Sequence, residues 1–206
     1  MVIATATERY TLEEYLELEE QAVEKHEYRN GEIVSMPGGT ANHNAITGNV
    51  YAEIRRYVRG QGYKLFINDM RLWLPACQNY VYPDVMVVAG HPIYQNDEPT
   101  AILNPCLIVE VLSESTEAYD RGEKFQKYRT IPALQEYLLF SQHDYCVEQF
   151  VKTDDLGWLY KEYRGQDAAL PLQSILLQEN RVTLSLADLY EAVDFDLQIS
   201  ADSATR

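Results

Sequence analysis

The sequence predicts one α/β domain, and three observations carry that expectation. The 206 residues are 46% hydrophobic and 24% charged, with no linker, internal repeat or low-complexity block. Apolar residues recur with helical spacing between Thr40 and Arg59, at Ala45, Ile46, Val50, Ile54, Tyr57 and Val58. Cys106–Leu112 (C-L-I-V-E-V-L) is a nearly unbroken apolar run, as expected of a central strand buried on both faces. The expected layout is a single domain over 1–206. Within it lie a motif-bearing core at about 10–150, further strands and a helix over 151–197, and a frayed polar tail at 198–206.

Each element follows from a local signal. Thr11 before L-E-E-Y-L-E-L-E-E reads as an N-cap, with Glu14 completing a capping box. Asn30-Gly31 between two short extended runs predicts a hairpin, and Pro37-Gly38-Gly39 ends its second strand. Gly60 stops the Thr40–Arg59 helix. Strands are expected at 63–68, 71–74 and 82–89, followed by a loop over 90–104. After the central strand come a helix over about 116–129 and a strand over 133–140. Two meander strands, 145–151 and 158–164, are joined by a polar turn at Thr153-Asp154-Asp155, and a last helix covers about 186–192.

Composition excludes several classes. Cys77, Cys106 and Cys146 lie 29 and 40 residues apart, which fits no zinc or redox spacing, so they read as small core residues in a reducing cytoplasm. No apolar run is long enough to span a bilayer, and the first residues lack a signal-peptide pattern. The formal charge of −15 argues against a general nucleic-acid-coating protein. The basic residues are nevertheless clustered. Residues 55–64 and 121–129 together hold eight of the 17, either as solvated helix faces or as two strips converging on one cleft.

Three features bear on chemistry. Glu110 interrupts the central apolar run, and a carboxylate there costs several kcal/mol unless it is paired, protonated or metal-bound. It therefore lies near a strand end or it is functional. Asp84, in Y-P-D-V-M-V-V-A, is expected just inside a second apolar strand, or as a turn-capping residue after Pro83. Two such carboxylates at matching strand ends could share a magnesium ion, which takes few carboxylates and keeps waters and phosphate oxygens. On the following helix Asp120, Lys124, Lys127 and Tyr128 share one face, either beside those strand ends or as a surface face with an Asp120–Lys124 ion pair.

Asp84, 25 intervening residues, then Glu110-Val111-Leu112 resembles the PD-(D/E)xK nuclease signature with its lysine missing. More closely, the chain resembles the Uma-type family of restriction endonucleases in that superfamily. The matching stretches are H-E-Y-R-N-G-E-I at 26–33, A-N-H-N at 41–44, Y-P-D-V at 82–85 and P-C-L-I-V-E-V-L-S-E-S-T at 105–116. D-R-G-E-K-F-Q-K-Y-R at 120–129 and I-P-A-L-Q-E-Y at 131–137 complete the set. The pieces follow the family's order across about residues 10–150 and are specific together, while 151–206 carry no assignable motif.

The resemblance implies a restriction-endonuclease-like core, a mixed central β-sheet flanked by helices with a metal site at the strand ends. It implies a cytoplasmic, Mg2+-dependent (or Mn2+-dependent) nuclease hydrolysing phosphodiester bonds, with DNA the expected partner and a homodimer the assembly many such nucleases adopt. Asp84 and Glu110 would ligate metal with the Val111 carbonyl as third ligand, and Lys124 would orient or deprotonate the attacking water. Glu27 would hold a second metal or a water, or else be a surface residue of the hairpin. His43 would contact phosphate or serve structurally. Apart from the resemblance, the basic strips and the helix face offer Arg55, Arg56, Arg59, Lys127 and Tyr128 as substrate contacts. The rival is a nuclease-like fold that binds nucleic acid or a protein without cutting, which the acidity and Leu112 favour.

Overall fold

Thr11 caps the first helix as its capping box requires: its side chain accepts from the Glu14 N–H, and Glu14 accepts from the Thr11 N–H. A computed structural model describes residues 9–36, 38–154, 157–177 and 180–196. Pro37, Asp155 and the tail from Gln198, which the sequence assigns to turns and a frayed end, lie outside the described residues.

Helix α1 (Leu12–Gln21) is followed by the hairpin β1 (His26–Arg29) and β2 (Glu32–Ser35). Its turn puts Asn30 at φ 48° and Gly31 at φ 99°, the left-handed pair that the Asn-Gly signal predicts. Helix α2 (Ala41–Val58) ends as expected, with Gly60 left-handed at φ 76°. Strands β3 (Tyr63–Ile67), β4 (Arg71–Leu74), β5 (Asn79–Val81), β6 (Val85–Ala89), β7 (Ala101–Ile102) and β8 (Leu107–Val111) follow. The single strand expected over 82–89 is therefore corrected. Tyr82-Pro83-Asp84 separates β5 from β6, which belong to different sheets, and Asp84 precedes β6 rather than lying inside it.

The expected helix over 116–129 is built in three parts: α3 (Glu117–Tyr119), a π-helical turn at Asp120–Lys124, and α4 (Phe125–Tyr128). Strands β9 (Glu136–Phe140), β10 (Cys146–Lys152) and β11 (Trp158–Arg164) complete the expected series. An additional hairpin, β12 (Ala169–Leu177) with β13 (Asn180–Ser185), leads into α5 (Leu186–Leu189). β12 is tied to the main sheet by the buried Glu136 carboxylate, which accepts from the Gln173 and Ser174 backbone N–H groups and the Ser174 hydroxyl, each within 2.9 Å.

Two sheets define the layers. The larger is mixed, in the order β11-β10-β9-β8-β6-β3, with β8 and β9 parallel and the other pairs antiparallel. The smaller runs β2-β1-β5-β4-β7. α2, the C-terminal hairpin and α5 cover one face of the large sheet through Ile46, Val50, Ile54, Val109, Leu172 and Leu186. α1 covers the outer face of the small sheet through Tyr15, Tyr28, Trp73 and Tyr80. Between the sheets a third core joins Leu72, Leu74 and Val81 to Met86, Ile108, Leu112 and Leu139, with Phe125 and Tyr128 inserted from α4. No helix among the described residues is long and apolar enough to cross a membrane.

Candidate active site

Strand register brings the two predicted carboxylates together. Val85 pairs with Val109 and Met86 with Ile108. Extending that antiparallel register by one residue sets Asp84 opposite Glu110, with both side chains on one face. The contact is direct, for the Val111 N–H donates to Asp84 Oδ2 at 2.7 Å. By the two-residue period of a strand, Glu110 shares its face with Ile108 and Leu112, both in the core between the sheets. The carboxylates therefore look inward, toward the small sheet and the helical segment.

That segment supplies the cation. Lys124, 7% exposed, places Nζ 2.8 Å from Glu110 Oε1, 3.1 Å from Asp120 Oδ1 and 4.0 Å from Glu27 Oε1. Tyr128 donates its hydroxyl to the same Glu110 oxygen at 2.6 Å. Asp120, Lys124 and Tyr128 follow one another at intervals of four residues through the π-helical turn, so one row of the helix faces Glu110. The surface alternative for Asp120–Lys124 is overturned, since both are buried, and so is the surface alternative for Glu27, which is 4% exposed.

His43, in the first turn of α2, holds the other side of Asp84, with Nε2 3.2 Å from Oδ1. Thr40 caps that helix by accepting from the His43 N–H, and its hydroxyl also bonds Gln142, which donates to the Leu112 carbonyl at 2.6 Å. Both carboxylates are thus paired: Asp84 with His43 and the Val111 N–H, Glu110 with Lys124 and Tyr128.

The electrostatics follow from burial. Glu110 is pushed up to about 8, first by burial and then by the neighbouring Asp84 and Asp120, with Lys124 opposing. Burial works to lower Lys124, but Glu110, Asp120 and Glu27 outweigh it and hold the ammonium well above its ordinary value. Burial likewise works to lower His43, and its hydrogen bond and attraction to Asp84 raise it overall. Lys124 thus sits among carboxylates that favour its charged form and present it as a hydrogen-bond donor.

The predicted substrate contacts do not all gather here. Arg55 and Arg59 line a separate cleft with Tyr63 and Lys64, and Arg56 pairs with Glu53 at 2.6 Å. Along α2 they lie about 18–24 Å from His43 at 1.5 Å per residue, so the two basic strips do not converge on one cleft. Arg55 and Arg56 also sit in the last turn, where cations offset the helix dipole. Lys127 is nearer, bonded to Glu123 at 2.7 Å and to the Tyr119 hydroxyl at 3.3 Å.

Asp120, expected on the helix face with Lys124, was given no role of its own, and Arg29 was absent from the predicted set. Arg29 donates twice to Glu27 Oε2, at 2.9 and 2.7 Å, and its guanidinium lies 4.0 Å from the Tyr119 ring centre. The i, i+2 spacing of Glu27 and Arg29 on β1 was the available signal.

Among the described residues no three His, Cys, Asp or Glu side chains form a ready metal cage. The side chains at this edge are the Asp84 and Glu110 carboxylates, hard oxygen donors of the kind a small cation that keeps its own waters takes.

A mixed sheet flanked by helices, with Asp84 and Glu110 at the meeting of two of its strands, defines a restriction-endonuclease-like fold. Comparison with known proteins gives the family. Residues 12–186 match Uma2, described as "Putative restriction endonuclease", and the chain belongs to that family. It is 45% identical over 170 residues to uncharacterized protein sll1609 of Synechocystis, covering 82% of this chain and 96% of that one. It is 40% identical over 163 residues to slr1290 of the same organism, covering 79% and 84%. A crystal structure of a putative nuclease belonging to DUF820 from Anabaena variabilis superposes with a TM-score of 0.69 at 20% identity, covering 88% of this chain and 97% of that one.

Proposed function

We propose that the chain is a Mg2+-dependent (or Mn2+-dependent) endonuclease that hydrolyses phosphodiester bonds in DNA and works in the cytoplasm. One observation carries the reading: the Lys124 ammonium lies 2.8 Å from Glu110, whose strand neighbour is Asp84. The cation that the family signature places two residues after the glutamate comes instead from the next helix.

A divalent cation on Asp84, Glu110 and the Val111 carbonyl would polarise a phosphoryl oxygen and lower the pKa of a bound water. The chain's own groups do the rest. His43 and the Val111 N–H fix both oxygens of Asp84, and Tyr128 fixes Oε1 of Glu110. Lys124, kept protonated by its carboxylates, donates to the attacking water or to a phosphoryl oxygen and neutralises charge developing there. Glu27 holds Arg29 in place and lies within 4.0 Å of Lys124.

The test is nicking and linearisation of plasmid DNA with Mg2+ or Mn2+. Asp84→Asn and Glu110→Gln are expected to abolish cleavage while circular dichroism shows the fold intact and Tm does not fall. Lys124→Ala should lower turnover by orders of magnitude with little loss of metal affinity, since a cation is no ligand. Unfolding of both carboxylate variants would make those groups structural and refute the assignment. A binding-only protein is the second reading, favoured by the engagement of Glu110 Oε1 by Lys124 and Tyr128. Wild type that binds DNA without cleaving it under any divalent ion would establish that reading.

A further inference from the structure

A cleft of about 370 Å3 lies beside this site, lined by Arg9, Arg29, Asn30, Glu32, Cys77, Asn79, Tyr119, Glu123 and Lys127. Two rows of side chains build it. Arg29 pairs with Glu32 on β2 and with Asn79 on β5, so Glu32, Arg29 and Asn79 form one row across three strands on one face of the small sheet. Opposite, Tyr119, Glu123 and Lys127 recur at intervals of four along the helical segment, next to the Asp120–Lys124–Tyr128 row of the active site. One helix thus presents a row to the Asp84–Glu110 edge and its neighbouring row to this cleft. Glu27 joins the two, one carboxylate oxygen taking Arg29 at 2.7 Å and the other lying 4.0 Å from Lys124.

Asn79 marks the cleft as built for a ligand. It is 1% exposed, and its side-chain amide nitrogen has no hydrogen-bond partner among the described residues. A buried amide donor left unsatisfied keeps its full desolvation cost, which a bound acceptor would recover. The charged groups are mixed: Arg9, Arg29 and Lys127 are cations, Glu32 and Glu123 are acids, with Lys127 on Glu123 and Arg29 on Glu27. A bare anion gains little from acceptors such as Glu32. A ligand carrying both a phosphate and a base edge can use cations and acceptors together, and the volume lies within the range of small-molecule sites.

We propose that this cleft is a nucleotide subsite that holds the nucleoside monophosphate unit of a nucleic-acid strand next to the bond cut at Asp84 and Glu110, its phosphate on Arg29 and Lys127 and its base edge meeting Asn79. The inference rests on the nuclease reading for the neighbouring site and adds a place where the strand is gripped.

Cys77 provides the assay, because it lines the cleft and is partly exposed while Cys106 and Cys146 are buried. Alkylation of Cys77 by iodoacetamide, followed by mass spectrometry, is expected to slow as a deoxynucleoside monophosphate is added. A dinucleotide should protect at lower concentration, and inorganic phosphate should protect weakly. Asn79→Leu and Lys127→Gln should each shift protection to about tenfold higher ligand concentration. Asn79→Leu should at the same time hold or raise Tm, because it removes an unpaired donor, whereas a merely structural asparagine would lower it. Asp84→Asn is the control. It should leave nucleotide protection intact, so loss of Mn2+ binding there with protection retained concerns the metal site alone. Absence of protection by saturating mononucleotide and dinucleotide overturns the subsite. Equal protection by phosphate and nucleotide, insensitive to Asn79→Leu, overturns it as well. Mononucleotide protecting as well as dinucleotide would assign the cleft to free nucleotides and refute the strand.

Discussion

Glu110→Gln isolates the energetic consequence of a carboxyl buried between two sheets. In the unfolded chain that carboxyl ionises near 4.5; in the fold, burial together with Asp84 and Asp120 pushes it up to about 8 against the pull of Lys124. Between those values the folded protein holds a proton that the unfolded chain has released. Stability from this group therefore falls as pH rises through the window and is flat above it. The full depth is on the order of 5 kcal/mol at 1.36 kcal/mol per pH unit. Glutamine keeps an Oε1 that accepts from both Tyr128 and Lys124 but cannot ionise, and Lys124 retains Asp120 at 3.1 Å. Urea unfolding followed by circular dichroism at pH 5, 7 and 8.5 is the measurement. Wild type and variant should agree within about 1 kcal/mol at pH 5, and the variant should be more stable by several kcal/mol at pH 8.5. Parallel curves, or a variant that loses ground as pH rises, would refute the reasoning.

Other expectations follow from the same geometry. His43 should titrate above 6.5 by imidazole NMR, and in Asp84→Asn it should fall below 6.5, because burial then acts without its partner. Its stabilising contribution is full below 6.5 and is lost as pH rises through the raised folded value, a loss that Asp84→Asn should remove. Changing Arg55, Arg56 and Arg59 together to Ala should weaken duplex binding and flatten the salt dependence by about 0.9 log units per lost phosphate contact, with turnover at saturating DNA unchanged. An unchanged slope returns those arginines to dipole compensation at the end of α2. In Lys124→Ala/Leu112→Lys the new ammonium leaves β8 on the Glu110 face, so cleavage should partly recover over Lys124→Ala. The cost of placing Lys at a site 4% exposed sets the limit of that recovery, readable as a lowered Tm.

What was legible in the sequence was mostly local. The Thr11 capping box, the Asn30-Gly31 turn, the left-handed Gly60 and the apolar Cys106–Leu112 strand each depend on residues a few positions apart, where propensity and periodicity decide. The division at Tyr82-Pro83-Asp84 was not legible, since both flanks are apolar and extended and only the sheets they join differ. The hairpin at 169–185 escaped for a related reason. Its hold on the domain is the Glu136 carboxylate, more than thirty residues earlier in the chain. For the candidate site, the carboxylates of Asp84 and Glu110 stood out by type and spacing within apolar strands, and the family resemblance pointed to Lys124, which the fold brings to 2.8 Å from Glu110. The Glu32–Arg29–Asn79 row was not, because β1 and β5 are fifty residues apart and no local pattern announces their pairing.

The placement of the lysine then has a structural reason. Position 112 lies on the Glu110 face of the central strand, but Leu112 is committed there to the core that joins the sheets, beside Leu139 and Tyr128. An ammonium at 112 would have to be held among apolar side chains. From the helix, Lys124 reaches the same carboxylate with Asp120 one turn before it and Tyr128 one turn after, so the charge arrives with partners from its own element. The π-helical turn between Asp120 and Lys124 sets this row, and the neighbouring row, Tyr119, Glu123 and Lys127, turns with it. The position of the cation at Glu110 and the shape of the adjoining cleft are therefore coupled through one short helix. A substitution that restores ordinary α-helical spacing there should disturb both at once, whereas a change confined to β8 should disturb only the first.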